Sequence, residues 1–152
     1  MISDPVCDQP IPEFLRQDER LRAMCLSGAV PLDEYVSFVT GVGFGTVEIR
    51  ARRPYRVLDA RRYDLEDDIL LETVEIAAFN DPVPSDGPCV FTGRTVFCTG
   101  DEEYWDDGKG HVVMPDVPLS VCDKTAGWFA DLERDDIFVT DSTYHYGGGG
   151  CC

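Results

Sequence analysis

Gly41-Val42-Gly43-Phe44-Gly45-Thr46-Val47-Glu48-Ile49-Arg50 is the stretch at which the chain changes period. Before it, apolar residues recur at helical spacing. From Thr46 onward they alternate, as in a half-buried strand. Working back, Pro31 to Val42 reads as a helix. Pro31 suits a first-turn position, Asp33 and Glu34 favour the positive end, and Gly43 closes it. Its buried stripe is Leu32, Tyr35, Val36 and Val39. Further back, Pro12 to Ser27 carries Phe14, Leu15, Leu21, Met24 and Cys25 at roughly helical spacing, which predicts one helix with Gly28 as its stop. Working forward, the Arg-rich stretch from Arg50 to Arg62 bends at Pro54. Strands are predicted at Leu70–Phe79, Cys89–Thr99, His111–Met114 and Pro118–Val121. A helix from Asp123 to about Glu133 and a strand at Ile137–Thr140 complete the reading. The expected class is α+β: two N-terminal helices followed by a mostly antiparallel sheet with one late helix, then a flexible Gly-Cys tail.

The chain has 152 residues, room for one core that closes without staples. Against 13 Lys+Arg stand 29 Asp+Glu, a formal charge of −16, which excludes nucleic acid and anionic membrane surfaces as partners. No apolar run approaches the ~18 residues a bilayer span needs. Met1-Ile2-Ser3-Asp4-Pro5 has neither a basic n-region nor an apolar h-region, so no secretory signal is expected. Seven cysteines, an odd number without an export signal, imply reduced thiols and a cytoplasmic location. No C-x-x-C pair occurs, and His111 and His145 lie far apart, so a structural zinc site is poorly supported.

The glycines of Gly41–Gly45 follow a helix and open a strand. A phosphate-binding loop has the opposite order, so these read as a helix end and a turn. Cys25, near the end of the first helix, is either a small core residue or a soft-metal thiolate facing a cleft. Cys122 falls between a strand and Asp123-Lys124-Thr125 of a helix. Backbone N–H groups there favour a thiolate, which makes Cys122 the reactive-thiol candidate, with a capped structural cysteine as the alternative. Cys89 and Cys98 share one predicted strand and serve as core filling, and Cys7 is an unassigned loop thiol. In the tail, Gly147 to Gly150 form a tether of roughly 13 Å when extended. Cys151-Cys152 at its end rarely close on each other, so a mobile dithiol suits capture of a thiophilic ion such as As(III), Cu(I) or Zn(II). A terminus with accidental cysteines is the other reading.

Ile2-Ser3-Asp4-Pro5-Val6 and Pro10-Ile11-Pro12-Glu13 resemble the stretch leaving a central strand of S-adenosylmethionine-dependent arsenite methyltransferases. Cys25-Leu26-Ser27-Gly28-Ala29 is similar to that family's Cys-x-x-Gly-Ala segment, followed here by Tyr35 and Gly43-Phe44. Pro118-Leu119-Ser120-Val121-Cys122-Asp123-Lys124-Thr125, the His145-Tyr146 pair and the glycine–cysteine end resemble its C-terminal accessory domain. The resemblance covers nearly the whole chain but only the back half of such an enzyme. It implies that residues 1–50 end a methyltransferase-like domain, that 51–146 form an α+β accessory domain, and that 147–152 are the tail. It implies As(III) as substrate, held by cysteine thiolates, its lone pair attacking the sulfonium methyl carbon. Cys25 matches one arsenic-binding cysteine of the family and takes the catalytic role, with Cys151 and Cys152 as further arsenic ligands. The second family ligand and the glycine-rich loop for S-adenosylmethionine lie upstream of the matched region. The cofactor then belongs to a methyltransferase domain supplied in cis or in trans, and the chain is a truncated piece or a split partner, inactive alone. The competing readings are a non-catalytic thiol-rich metal- or metalloid-binding module and a dimerisation domain, so homodimerisation stays open.

Overall fold

The computed structural model describes residues 1–143. The chain opens with β1 (Ile2–Cys7), continues through two short helices, α1 (Glu13–Arg16) and α2 (Glu19–Ala23), and reaches α3 (Leu32–Gly41). The predicted helix over Pro12–Ser27 is therefore two helices. Asp18 breaks it: its carboxylate accepts from the N–H groups of Arg20 (2.8 Å) and Leu21 (3.0 Å), starting α2 afresh. β1, which the sequence reading treated as loop, is an edge strand. Asp4 and Pro5 hide it, since both are depleted from strands and Pro is tolerated at a sheet edge.

β2 (Thr46–Leu58) starts where the alternation begins but runs on through Pro54. Two register shifts absorb the irregularity, one between Ile49 and Ala51 and one between Pro54 and Arg56. The expected domain boundary at residue 50 falls inside this strand, so residues on both sides share one sheet. After α4 (Ala60–Tyr63), β3 (Ile69–Phe79) pairs antiparallel with both β1 and β2, and β4 (Cys89–Phe91) adds parallel to β2. The sheet order is β1-β3-β2-β4.

The predicted strand Cys89–Thr99 is also divided. Gly93, at φ +85°, turns the chain out of the first sheet, and β5 (Thr95–Cys98) enters a second one. A Cβ at Gly93 would collide with the backbone of Thr143, so the close return of the C-terminal segment demands glycine here. A hairpin of β6 (Trp105–Asp106) and β7 (Val112–Val113) follows, then β8 (Leu119–Ser120), α5 (Asp123–Ala130) and β9 (Ile137–Val139). The second sheet has the order β8-β5-β9, all antiparallel. The architecture is thus α+β, as the change of period implies.

Three apolar clusters hold these parts. Cys7, Ile11, Leu15, Leu21, Leu26 and Leu71 join α1 and α2 to one region of the first sheet. Val39, Val47, Ile49, Val74 and Ile76 join α3 to another. Val96, Cys98, Val113, Val121, Ala126, Phe129 and Ile137 form the core under α5. No helix among the described residues is long and apolar enough to cross a membrane.

Candidate functional site

Cys25 ends α2 in an unusual way. The Leu26 N–H donates to the Leu21 carbonyl at 2.9 Å and the Cys25 N–H to the Arg22 carbonyl at 3.0 Å, the paired closure of a Schellman motif. Leu21 and Leu26 are both buried in the same cluster, the apolar contact that accompanies such a cap. In this motif the residue after the cap adopts left-handed backbone, and glycine is its usual occupant. Here it is Cys25, at φ 57° and exposed. Gly28, the predicted stop, lies three residues further and plays no part in the closure. A side chain at a left-handed position costs on the order of 1–2 kcal/mol. The packing of Leu21 and Leu26 holds the turn, and the thiol is displayed at its apex.

The thiol borders a cavity of about 410 Å³ lined by Asp4, Pro5, Arg16, Arg22, Cys25, Ser27, Gly28 and Tyr35. α3 contributes Tyr35, whose hydroxyl donates to Asp4 Oδ2 at 2.5 Å and so ties the helix to β1. Burial, and then the Asp4 carboxylate, push the Tyr35 hydroxyl up to about 12, so it remains a neutral donor. Arg16 is steadied by its Nε donating to the Ile11 carbonyl at 3.1 Å. Arg22 donates to the Arg16 carbonyl at 3.5 Å. Two guanidinium groups against one carboxylate make this cavity a cationic spot on a chain of charge −16. An exposed sulfur beside guanidinium groups is a combination that can meet a soft electrophilic centre bearing oxyanion groups.

The other described cysteines are dispersed. Cys7 lies on β1 rather than in a loop and is buried; burial, followed by the neighbouring Asp8, pushes its thiol up to about 11. Cys98 is core, as read from the sequence. Cys122 is the N-cap of α5, where the sequence reading puts it, but it is only 4% exposed and makes no side-chain capping bond. Its sulfur lies 3.3 Å from Thr125 Oγ1 instead. Cys89 is half-buried on β4, separate from the strand that carries Cys98. Cys151 and Cys152, with the tail that carries them, lie outside the described residues. Among the described residues no group of three or more His, Cys, Asp and Glu side chains is arranged to hold a metal.

Arg16, Arg22 and Asp4 were not among the expected site residues. Asp18, an N-cap signal five residues after Glu13, is the sequence feature that separates α1, which carries Arg16, from α2, which carries Arg22. Gly41–Gly45 sits between α3 and β2, in the helix-to-strand order expected for a turn. No family model matches the chain. The structure is similar to that of an arsenic(III) S-adenosylmethionine methyltransferase from Chlamydomonas reinhardtii, at 19% identity and a TM-score of 0.46. That similarity covers 97% of this chain and 51% of the algal one, so the chain spans about half the length of this solved structure.

Proposed function

We propose that the chain is the arsenic-binding portion of an arsenite methyltransferase and that Cys25 is its thiolate ligand in the 410 Å³ cavity. One observation carries this reading. An exposed cysteine occupies a left-handed position that glycine would fill at lower cost, beside two arginines. It falls in the segment that resembles the family's arsenic-binding motif. Trivalent arsenic needs two or three thiolates around one point, so Cys25 alone holds it weakly. Cys151 and Cys152 are the proposed partners on this chain, and an upstream thiolate is the partner in a complete enzyme.

The proposed cofactor is S-adenosylmethionine, which supplies an electrophilic methyl group. The described residues do not fit it. Their glycine-rich segment follows a helix, and no strand-to-helix glycine loop is present among them. Binding of that group accordingly falls, in this reading, to a methyltransferase domain in cis or in trans. The division into portions 1–50, 51–146 and 147–152 belongs to the same proposal, with the first two sharing one sheet through β2. The part that this chain's residues play is positional. Leu21 and Leu26 fix the turn, Tyr35 fixes β1 against α3, and Arg16 and Arg22 favour an anionic ligand shell.

Titration of the reduced chain with arsenite tests the reading. One equivalent is expected, held mainly by Cys151 and Cys152 with Cys25 joining. Deleting the last two residues should remove most of the affinity, and Cys25→Ser should weaken it less. Equal losses would mean a shared three-thiolate site. If neither change alters arsenite uptake, the proposal fails.

A further inference from the structure

A cavity of about 700 Å³ opens where α3, β2, β4 and the first turn of α5 meet. It shares no lining residue with the Cys25 cavity. Leu32, Val36, Ile49 and Val90 give it an apolar wall, the size and character of a small-molecule site. Its charged groups are satisfied unevenly. Arg52 donates to Glu72 from Nε at 2.6 Å and from Nη2 at 2.5 Å, and Lys124 donates to Asp86 at 2.6 Å. Neither Glu72 nor Asp86 lines the cavity, so both cations of the wall are neutralised by carboxylates outside it.

The three carboxylates of the lining, Asp8, Asp33 and Asp123, have no such cations. Asp8 Oδ1 accepts from the Leu70 N–H at 3.0 Å, and Asp123 Oδ1 from the Thr92 hydroxyl at 2.6 Å. The Asp33 carboxylate, in the first turn of α3, accepts nothing among the described residues. Thr92, only 8% exposed, meets Ser142 Oγ at 2.7 Å, and this hydroxyl pair braces Asp123. The cavity therefore combines an apolar wall, cations already paired and carboxylates that meet only neutral donors.

We propose that this cavity binds a primary ammonium carried on an apolar body. An ammonium brings three N–H donors and no acceptor, which matches carboxylate oxygens that no charged group occupies. An anionic ligand would meet the same three carboxylates with no unpaired cation to offset them. No aromatic ring stands among the described residues of the lining, so the cation–π contact that selects a quaternary ammonium is missing. The apolar wall takes the body of the ligand out of water. The overall charge of −16 draws any cation toward the chain, but only local carboxylates can tell a hydrogen-bonding head from a methylated one. This site does not rest on the Cys25 reading.

Four probes with one naphthyl body test it: naphthylmethylammonium, its N-trimethyl derivative, naphthylmethanol and naphthoate. Calorimetry on the full chain at about 0.15 M salt should count one equivalent of the primary ammonium. It should bind about tenfold tighter than the trimethyl cation or the alcohol, the margin of a charge-assisted hydrogen bond, with naphthoate weakest. Asp33→Asn should weaken the ammonium several-fold and leave the alcohol unchanged. Asp101→Asn makes the same charge change in an exposed loop away from the lining, and should alter neither. Amide shifts on the unsubstituted chain supply a measurement without mutation, and should concentrate at the first turns of α3 and α5 and along β4. Equal affinity for the trimethyl cation, or naphthoate binding as tightly as the ammonium, overturns the proposal. So does an Asp101→Asn effect as large as that of Asp33→Asn, an absence of saturable binding, or shifts confined to the Cys25 cavity. Arsenite uptake by Asp33→Asn should match the parent chain, so the two sites fail separately.

Discussion

Cys25 and Cys122 both sit at helix ends and differ in every other respect. Cys25 follows the C-terminus of α2, exposed, in left-handed backbone, beside a cationic cavity. Cys122 caps the N-terminus of α5, buried, in extended backbone, its sulfur against a threonine hydroxyl. Cys122 stands at the N–H end of its helix and Cys25 at the carbonyl end of its own. Access and backbone conformation favour Cys25. The contrast separates a sheltered thiol at a helix start from an exposed thiol displayed on a rigid turn.

Alkylation rates break the comparison open, and they carry the largest expected effect. Iodoacetamide followed by mass spectrometry at pH 7.5 should label Cys25 on the order of a hundredfold faster than Cys122, because local opening must precede attack on the buried sulfur. Cys98 gives the sharper control. It is 2% exposed against 4% for Cys122, so their ratio isolates the helix N-terminus from access. Cys122 should label faster than Cys98 across pH 6 to 9. Equal rates for that pair would mean that the N-terminal position contributes nothing. Cys122 labelling ahead of Cys25 would reverse the whole contrast.

A smaller effect should appear at alkaline pH. Cys7 lies in the cluster that anchors Leu21 and Leu26 under Cys25, and burial pushes its thiol from 9.0 up to about 11. The folded state therefore holds its proton to higher pH than the unfolded chain does. Below about 9 both states are protonated and stability is unaffected. Between about 9 and 11 the unfolded chain releases a proton that the folded one keeps, so stability falls as pH rises, then levels off. Urea unfolding followed by circular dichroism should show this falling limb. Cys7→Ala should lower stability at every pH through lost packing while making the limb shallower. An unchanged slope in that variant would place the alkaline sensitivity elsewhere, Cys89 being the next thiol that burial raises.

Local patterning made much of this fold legible. Pro31, Asp33, Glu34 and Gly43 frame α3 within a residue or so, and the alternation from Thr46 and from Leu70 marks the two long paired strands. The failures lie where a local signal competes with a distant partner. Ile2–Cys7 carries Asp4 and Pro5 and becomes a strand only because Leu71–Ile76, some seventy residues on, supplies its ladder. Cys89–Thr99 alternates convincingly, yet Gly93 sends its halves into different sheets. For the site, the residue type and motif at Cys25 could be read directly. Its cavity could not, because Asp4, Arg16 and Tyr35 come from separate elements. The Lys124–Asp86 ion pair needs the segment before β4 to meet α5, and no spacing in the sequence encodes that.

The smallest expected effect tests the backbone argument itself. If Cys25 is kept at a left-handed position for its sulfur, then removing the side chain should relieve strain. Cys25→Gly loses a few contacts from an exposed side chain and adds unfolded-state entropy, which together oppose the gain. The net expected change is stabilisation of about 0.5–1 kcal/mol. For a chain of this size that raises Tm by about 1–4 °C. Cys25→Ala keeps the Cβ and therefore the strain, so it should leave Tm near that of the parent chain. The pair of variants isolates conformation from chemistry, since both lack the thiol and only one can relax. Arsenite binding should weaken equally in both, whatever their stability. A Cys25→Gly variant that melts lower than Cys25→Ala would show that the side chain supports the turn, and the strain would no longer mark a functional residue.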